Sequence, residues 1–396
     1  FCRRKLHLST TRERFICATT ASKMSLKSPS LKRSNSGWKT VNSTDSEYST
    51  PIGPEKKNAY RCAVCWSVFF VLIGLVFFIC ILIRPTDQGE NYNEYFRTLN
   101  KQLKIHGTGS SAVVLDLDTL DHNIEVLKQK IVGSSTSKSL RVVTKSVPSM
   151  DLIEYITSKV GTNKLMVFHP AMTIELCSRF NSTMEYLQGF PITISAVKNL
   201  LQTLLPSCVN NMQWLVDSKH LLEEYLEVAR IQNIQFRISI EIDVGLHRGG
   251  IGGTDELVEM LQIIEANPTH FQFAGFMGYD GHIAHSPWVI FGEKQEMKRA
   301  LGSSLDTYKH FKNSLKDNFP DLYSKNLTFN GAGSLTVTMY EDKNEINDLS
   351  VGSAFLKPKG FDIWTLDECK PAIYLAGPII KKLNDSSRIV PFLNSG

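Results

Sequence analysis

Leu140-Arg141-Val142-Val143-Thr144-Lys145, followed after a short break by Met150-Asp151-Leu152-Ile153-Glu154-Tyr155-Ile156, has the pattern of a strand running into a helix. β-branched residues load the first half, and apolar positions at helical spacing mark the second. Lys145 stands where the strand ends. In a (β/α)8 barrel such ends form the face that carries active sites, and a lysine there is placed for Schiff-base chemistry. Taken alone, Lys145 is an ordinary solvated charge. The other strand ends change that.

From about residue 108 strand and helix patterns alternate. Strand-like runs fall at 112–117, 140–144, 164–168, 212–216, 236–244, 271–279, 327–330 and 348–355, with amphipathic stretches such as 220–231 and 255–266 between them. Strands separated by helices of this length make parallel βα units. The alternation passes residue 350 without a break, which favours a closed α/β barrel of the (β/α)8 TIM type over an open doubly wound sheet. No GxGxxG opens a helix after the first strand, against a dinucleotide fold. Asp118 is the N-cap expected for the first helix.

The chain has 396 residues and a net charge of +5 that is unevenly spread. Residues 1–61 hold 13 Lys+Arg against 4 Asp+Glu, and the remainder 31 against 35. No basic patch on the main domain calls for nucleic acid. Residues 62–83, CAVCWSVFFVLIGLVFFICILI, form an uncharged run of 22 between Arg61 and Arg84. That is long enough to cross a bilayer as one helix, and too long and too deep in the chain for a signal peptide. Basic residues precede it, and Asp87 and Glu90 follow. The positive-inside rule therefore predicts a single-pass membrane protein with a cytosolic N terminus and a lumenal or extracellular main domain.

The sequence thus divides into a disordered basic tail (1–61), a transmembrane helix (62–83), a linker (84–107), a barrel (108–360) and the beginning of a C-terminal β domain (361–396). Phe1 opens the chain, Met24 is its first methionine, and the β domain is only begun before Gly396, so the expectation is a translated fragment. Sequons at Asn181, Asn326 and Asn384 fit a lumenal placement. Cys177, Cys208 and Cys369 are too few and scattered for a disulfide framework and are expected as buried free thiols. Cys62 and Cys65, at the membrane edge, are palmitoylation candidates.

Along the strand ends lie Lys145, His169, Gly245-Leu246-His247-Arg248-Gly249-Gly250 and Tyr279-Asp280-Gly281-His282. Asn330-Gly331-Ala332-Gly333-Ser334 and Val351-Gly352-Ser353-Ala354 come last. These two small-residue turns let backbone N–H groups approach an anion, as at the late phosphate site of such barrels. Arg248 is placed to reach an oxyanion. A phosphate-bearing cofactor held near a reactive lysine is pyridoxal phosphate chemistry.

Residues 108–380 resemble the fold-type III pyridoxal-phosphate enzymes, which share the alanine racemase N-terminal barrel, and within them the D-threonine aldolase and D-serine dehydratase branch. The resemblance rests on Val113-Val114-Leu115-Asp116-Leu117-Asp118 with Asn123, then Arg141–Lys145, Glu241–Gly250, 275–282 and 330–334. It implies that Lys145 forms the Schiff base and that Arg248 lies near the cofactor's phenolic oxygen. Tyr279 and His282 would line the pocket, while Gly331, Gly333, Ser334, Gly352 and Ser353 would cradle the phosphate. It also implies an amino-acid substrate and a homodimer.

Departures from the branch bear on the reaction. Histidines flank its lysine two residues either side, where this chain has Val143 and Val147. Alanine racemases set an arginine against the pyridine nitrogen, and the matching position here is Ser350, a neutral hydroxyl. Any divalent metal would take its ligands from beyond residue 396, in the part of the β domain that the sequence does not include. The expected function is dehydration or aldol cleavage of a D-3-hydroxy amino acid. An amino-acid racemase and a non-catalytic pyridoxal-phosphate-binding protein remain as alternatives.

Overall fold

The computed structural model describes residues 15–18, 55–82, 93–133, 138–286 and 292–379. The expectations for the rest of the tail, for Met24, for residues 83–92, for the sequon at Asn384 and for the chain past 379 lie outside the described residues. So do the side chains of Cys62 and Cys65.

The chain forms two compact units, one of residues 21–108 and one of residues 1–20 with 109–396. The first holds the helices Glu55–Leu82 and Glu94–His106. The second of these starts at Asn93, whose side chain accepts the Phe96 N–H at 3.0 Å. Among the described residues no helix is long and apolar enough to cross a membrane. The expected transmembrane helix and single-pass placement are therefore corrected, and with them the membrane as a partner.

The second unit contains the strands β1 (Phe15–Ala18), β2 (Ala112–Asp116), β3 (Ser139–Val143), β4 (Lys164–Val167), β5 (Glu185–Gln188) and β6 (Met212–Val216). It continues with β7 (Phe236–Glu241), β8 (Phe271–Met277), β9 (Thr328–Gly331), β10 (Asp348–Val351) and β11 (Ile373–Ala376). Strands β3 to β10 close into a parallel barrel with β10 beside β3. The expected eight strands are there, but not the same eight. Residues 112–117 do not enter the barrel: β2 lies between β1 and β11 in an antiparallel sheet. Its place is taken by β5, a four-residue strand with polar ends that is too short to give a period-2 signal. An apolar run shows that a strand is buried, and says nothing of which sheet it joins.

Local chemistry sets the helix ends. Ser149 caps the helix Met150–Val160, and Gly161, left-handed at φ 76, ends it. Asp116 rather than Asp118 caps Leu117–Ile131: its Oδ1 accepts the Thr119 N–H at 3.0 Å and its Oδ2 the Thr119 hydroxyl at 2.8 Å. The motif residue Asn123 is structural. Its amide donates to the carbonyls of Phe355 and Lys370, and its Oδ1 accepts the Lys370 N–H.

Charge fills the interior at the opposite end of the barrel from the strand C termini. Arg141, fully buried, donates to Asp348 at 2.8 and 3.0 Å and to Glu185 at 2.6 Å, and Lys164 donates to Asp348 at 3.0 Å. Burial works against the Asp348 carboxylate, yet Arg141 and Lys164 hold it well below the usual carboxylate range. Cys177 and Cys208 are not free thiols but a disulfide that ties the helix Pro170–Phe180 to Pro206–Asn210. Two cysteines cannot give a framework pattern, so spacing carried no sign of the pair. Cys369 is free and buried.

Candidate active site

The strand C termini enclose a cavity of about 230 Å³. Lys145 opens into it from the short 3-10 turn Thr144–Ser146 that follows β3. The turn is fixed by the Thr144 hydroxyl, which donates to the Met166 carbonyl at 2.9 Å. The Lys145 ammonium lies 4.1 Å from the centre of the Phe168 ring. Desolvation, with Arg248 adding to it, lowers the Lys145 pKa, so more of the amine is neutral and nucleophilic than for a solvated lysine.

Arg248 enters from the loop after β7. Its guanidinium stands between two aromatic faces, 4.8 Å from Phe190 and 4.9 Å from Tyr279, and donates to Glu241 at 3.2 Å. Glu241 is buried at the end of β7. Desolvation raises its pKa while the Arg248 hydrogen bond and charge oppose the rise. The pair keeps a cation pointed at the cavity while meeting the carboxylate behind it.

The two small-residue turns face the lysine. Gly333, Ser334, Gly352 and Ser353 line the cavity, and Ser350 does so from β10. The turn is tight at Ala332, a non-glycine residue at φ 65. Some of its donors are already engaged: the Ser334 hydroxyl accepts the Gly352 N–H at 3.1 Å, and Thr336 Oγ1 accepts that of Gly333 at the same distance. Ser350 is hydrogen-bonded to Asn330, whose amide also donates to Asp348 at 2.5 Å, which ties this wall to the buried charges below.

Of the residues expected at the site, Lys145, Arg248, Tyr279, Gly333, Ser334, Ser350, Gly352 and Ser353 line this one cavity. His282 and Gly331 do not. His282 turns toward Ser304, with its Nε2 3.3 Å from the hydroxyl, and burial lowers its pKa. Gly331 lies in the barrel wall, where an added Cβ would meet Ile346 at 3.0 Å. His169 is also outside, and its neighbour Phe168 lines the cavity instead. Val143 lines it, whereas Val147 is packed in the core. Asp280, His285, Ser146 and Thr336 line it without having been expected there. Asp280 and His285 lie inside or just past the Tyr279–His282 segment, in loop and 3-10 turn where no strand period gives side-chain direction. Among the described residues no group of three or more His, Cys, Asp or Glu is placed to hold a metal ion.

The fold and site together define a parallel eight-stranded α/β barrel whose strand C termini gather a lysine, an arginine and two small-residue turns around one cavity. The alanine racemase N-terminal domain family matches residues 115–354, and the chain belongs to it, within the fold-type III pyridoxal-phosphate enzymes that its sequence resembles. A curated alanine racemase from Borreliella burgdorferi is 22% identical over 181 residues, 46% of this chain and 44% of that protein. The chain therefore spans less than half the length of that relative.

Among solved structures, the D-threonine aldolase from Filomicrobium marinum superposes with a TM-score of 0.55 at 17% identity, covering 68% of each chain. The D-threo-3-hydroxyaspartate dehydratase from Delftia sp. HT23 gives 0.54 at 16% identity, over 68% of this chain and 66% of that one. The alanine racemase from Bacillus anthracis gives 0.51 at 16% identity, over 66% and 62%. At these identities the likeness is one of fold.

Proposed function

We propose that this chain is a pyridoxal-phosphate-dependent enzyme acting on a D-amino acid, with dehydration or aldol cleavage of a D-3-hydroxy amino acid as its reaction. The observation that carries the reading is Lys145: an amine at a strand end, its pKa lowered by desolvation and by Arg248, lining one cavity with Arg248 and two small-residue turns. The residues fit the cofactor. The amine is set for covalent attachment, Ser334 and Ser353 offer hydroxyls and backbone to a phosphate, and Tyr279 presents a ring face. Bound there, pyridoxal phosphate supplies an electron sink for negative charge developed at a substrate α-carbon.

The chain's own groups do the rest. Arg248, held by Glu241 and sandwiched by Phe190 and Tyr279, fixes an oxyanion. Lys145 would move a proton at a substrate α-carbon. Phe168, 4.1 Å from the ammonium, and Met166 give the cavity an apolar wall. Ser350 offers an uncharged hydroxyl where alanine racemases have arginine, which favours an unprotonated ring nitrogen. The homodimer expected from the branch belongs to the same proposal.

Borohydride reduction of cofactor-loaded protein, followed by peptide mapping, should place the label on Lys145. Turnover of a panel of D- and L-amino acids then separates lyase from racemase. A label on another lysine, or none, removes the reading. A second reading, cofactor binding without turnover, is favoured by one observation: valines stand at 143 and 147, and Val147 is fully buried. Stable labelling with no turnover across the panel would establish it.

A further inference from the structure

Asp280 follows β8 by three residues. It is fully buried, yet it lines the cavity. Its Oδ2 accepts the Tyr340 hydroxyl at 2.7 Å. Its Oδ1 has no hydrogen-bond partner among the described residues. That oxygen lies against the turn that carries Gly333, 3.7 Å from where a Cβ on Gly333 would stand. The Thr336 hydroxyl is near enough to oppose the rise in the Asp280 pKa, but its well-formed hydrogen bonds go to Gly333, whose N–H it accepts at 3.1 Å and to whose carbonyl it donates at 3.3 Å.

An ionised carboxylate left in this state is costly, because a buried charge met by one hydroxyl and no cation regains only part of its lost hydration. A neutral carboxyl meets a smaller penalty and carries an O–H. Burial pushes this carboxyl up to about 6, with the hydroxyls of Tyr340 and Thr336 opposing. The groups around it do not rescue the charge. Tyr340 and Tyr279 are themselves raised by burial and stay neutral. Lys145, Arg248 and His285 line the same cavity, but no ion pair joins any of them to Asp280 among the described residues.

We propose that Asp280 is an anion-positioning residue: its carboxyl, beneath the turn that carries Gly333, takes up one proton from solvent when a phosphate-type dianion enters the cavity. The inference rests on the proposed function for the identity of the anion, and on the geometry of Asp280 for the proton. The step balances simply. A proton leaves the buffer and bonds to Oδ1, and no bond in the ligand breaks. A dianion beside the carboxyl raises its proton affinity further, so binding and protonation favour each other.

The sign follows from linkage. Below about pH 5 Asp280 already carries its proton and binding takes up little; above about pH 6 the free protein holds it ionised, and binding draws a proton in. Inorganic sulfate is the probe, because it has no proton of its own to exchange near neutrality. Calorimetric titration with sulfate in two buffers of different ionisation enthalpy reads the proton count directly. The expected result is a count near zero at pH 5 and a clearly positive one, at most one proton, at pH 7. Asp280→Asn should bind sulfate with the pH-dependent uptake gone.

A flat, near-zero count in the natural protein overturns the proposal, as does uptake that persists in Asp280→Asn. Should that variant fail to fold, the pH profile of the natural protein alone decides. Sulfate that fails to bind overturns it too. If the cofactor still labels Lys145 in that case, the proposed function stands while this inference falls.

Discussion

At the scale of single residues, the Arg248–Glu241 pair makes two demands at once. Arg248→Ala should lower cofactor retention at least tenfold, and it should also strip a buried carboxylate of its charge-assisted bond. The stability cost is about 1–3 kcal/mol. Burial has already raised the Glu241 pKa, and removing Arg248 raises it more. A raised acid stabilises the fold while it is protonated and loses that contribution as pH rises through its folded value. The variant should therefore lose more stability at pH 8 than at pH 5, which denaturant melts at the two values would test. Equal losses would mean that the pair is not coupled.

Gly333→Val should empty the site for a reason that the sequence did not supply. An added Cβ meets the Tyr279 ring at 2.9 Å before it meets any ligand, so the ring that faces Arg248 must shift. Expected are reduced cofactor occupancy and a weaker loss in Gly333→Ala, with circular dichroism unchanged in both. Residue type and order made this site legible, since lysine, arginine and two glycine turns stand out at strand ends. Side-chain direction did not. His282 and Phe168 are each one position away from the opposite outcome, and direction is decided by packing that no local pattern records.

At the scale of elements, the disulfide and Gly275 of β8, beside which the register with β7 shifts, are where the fold is most exposed to change. Cys177 and Cys208 close a loop across the helices that flank β5, the short strand that local pattern misses. Reduction should cost about 2–4 kcal/mol, seen as a shift in the urea midpoint that alkylation makes permanent. In β8, Gly275 takes φ 136, and a Cβ there would lie 1.9 Å from the Thr328 carbonyl oxygen of β9. Gly275→Ala should lose roughly 3 kcal/mol or more, or fail to accumulate as folded protein. The alternation of strands and helices was legible because it is local. The exchange of 112–117 for β5 was not, because barrel membership is decided between strands far apart in the chain.

At the scale of the whole molecule, opposite pH signs meet in one barrel. Asp348 is depressed by Arg141 and Lys164, so its contribution is present above about pH 4, the unfolded carboxylate range, and disappears as the solution is acidified below it. Asp280, raised to about 6, contributes below that range and loses its contribution as pH climbs through 6. Stability should therefore slope down between about pH 4 and 6 through Asp280, and Asp280→Asn should flatten that slope. Asp348→Asn should instead unfold the barrel at neutral pH, since Arg141 would keep its charge in the interior with Glu185 as its remaining acidic partner. Thermal melts from pH 3 to 8 on both variants distinguish the two groups.

The small sheet beside the barrel has a consequence in time rather than in space. β2 is made before any barrel strand, yet its neighbour β11, aligned Ile373 to Leu115 and Ala376 to Ala112, is made after all of them. A ribosome therefore releases β2 with one edge unmatched until the last barrel strand has emerged. During that interval Val113, Val114 and Leu115 offer a backbone edge that another chain can borrow. The latch that completes the fold is thus also its window for misassembly, and synthesis speed across residues 117–372 sets how long that window stays open.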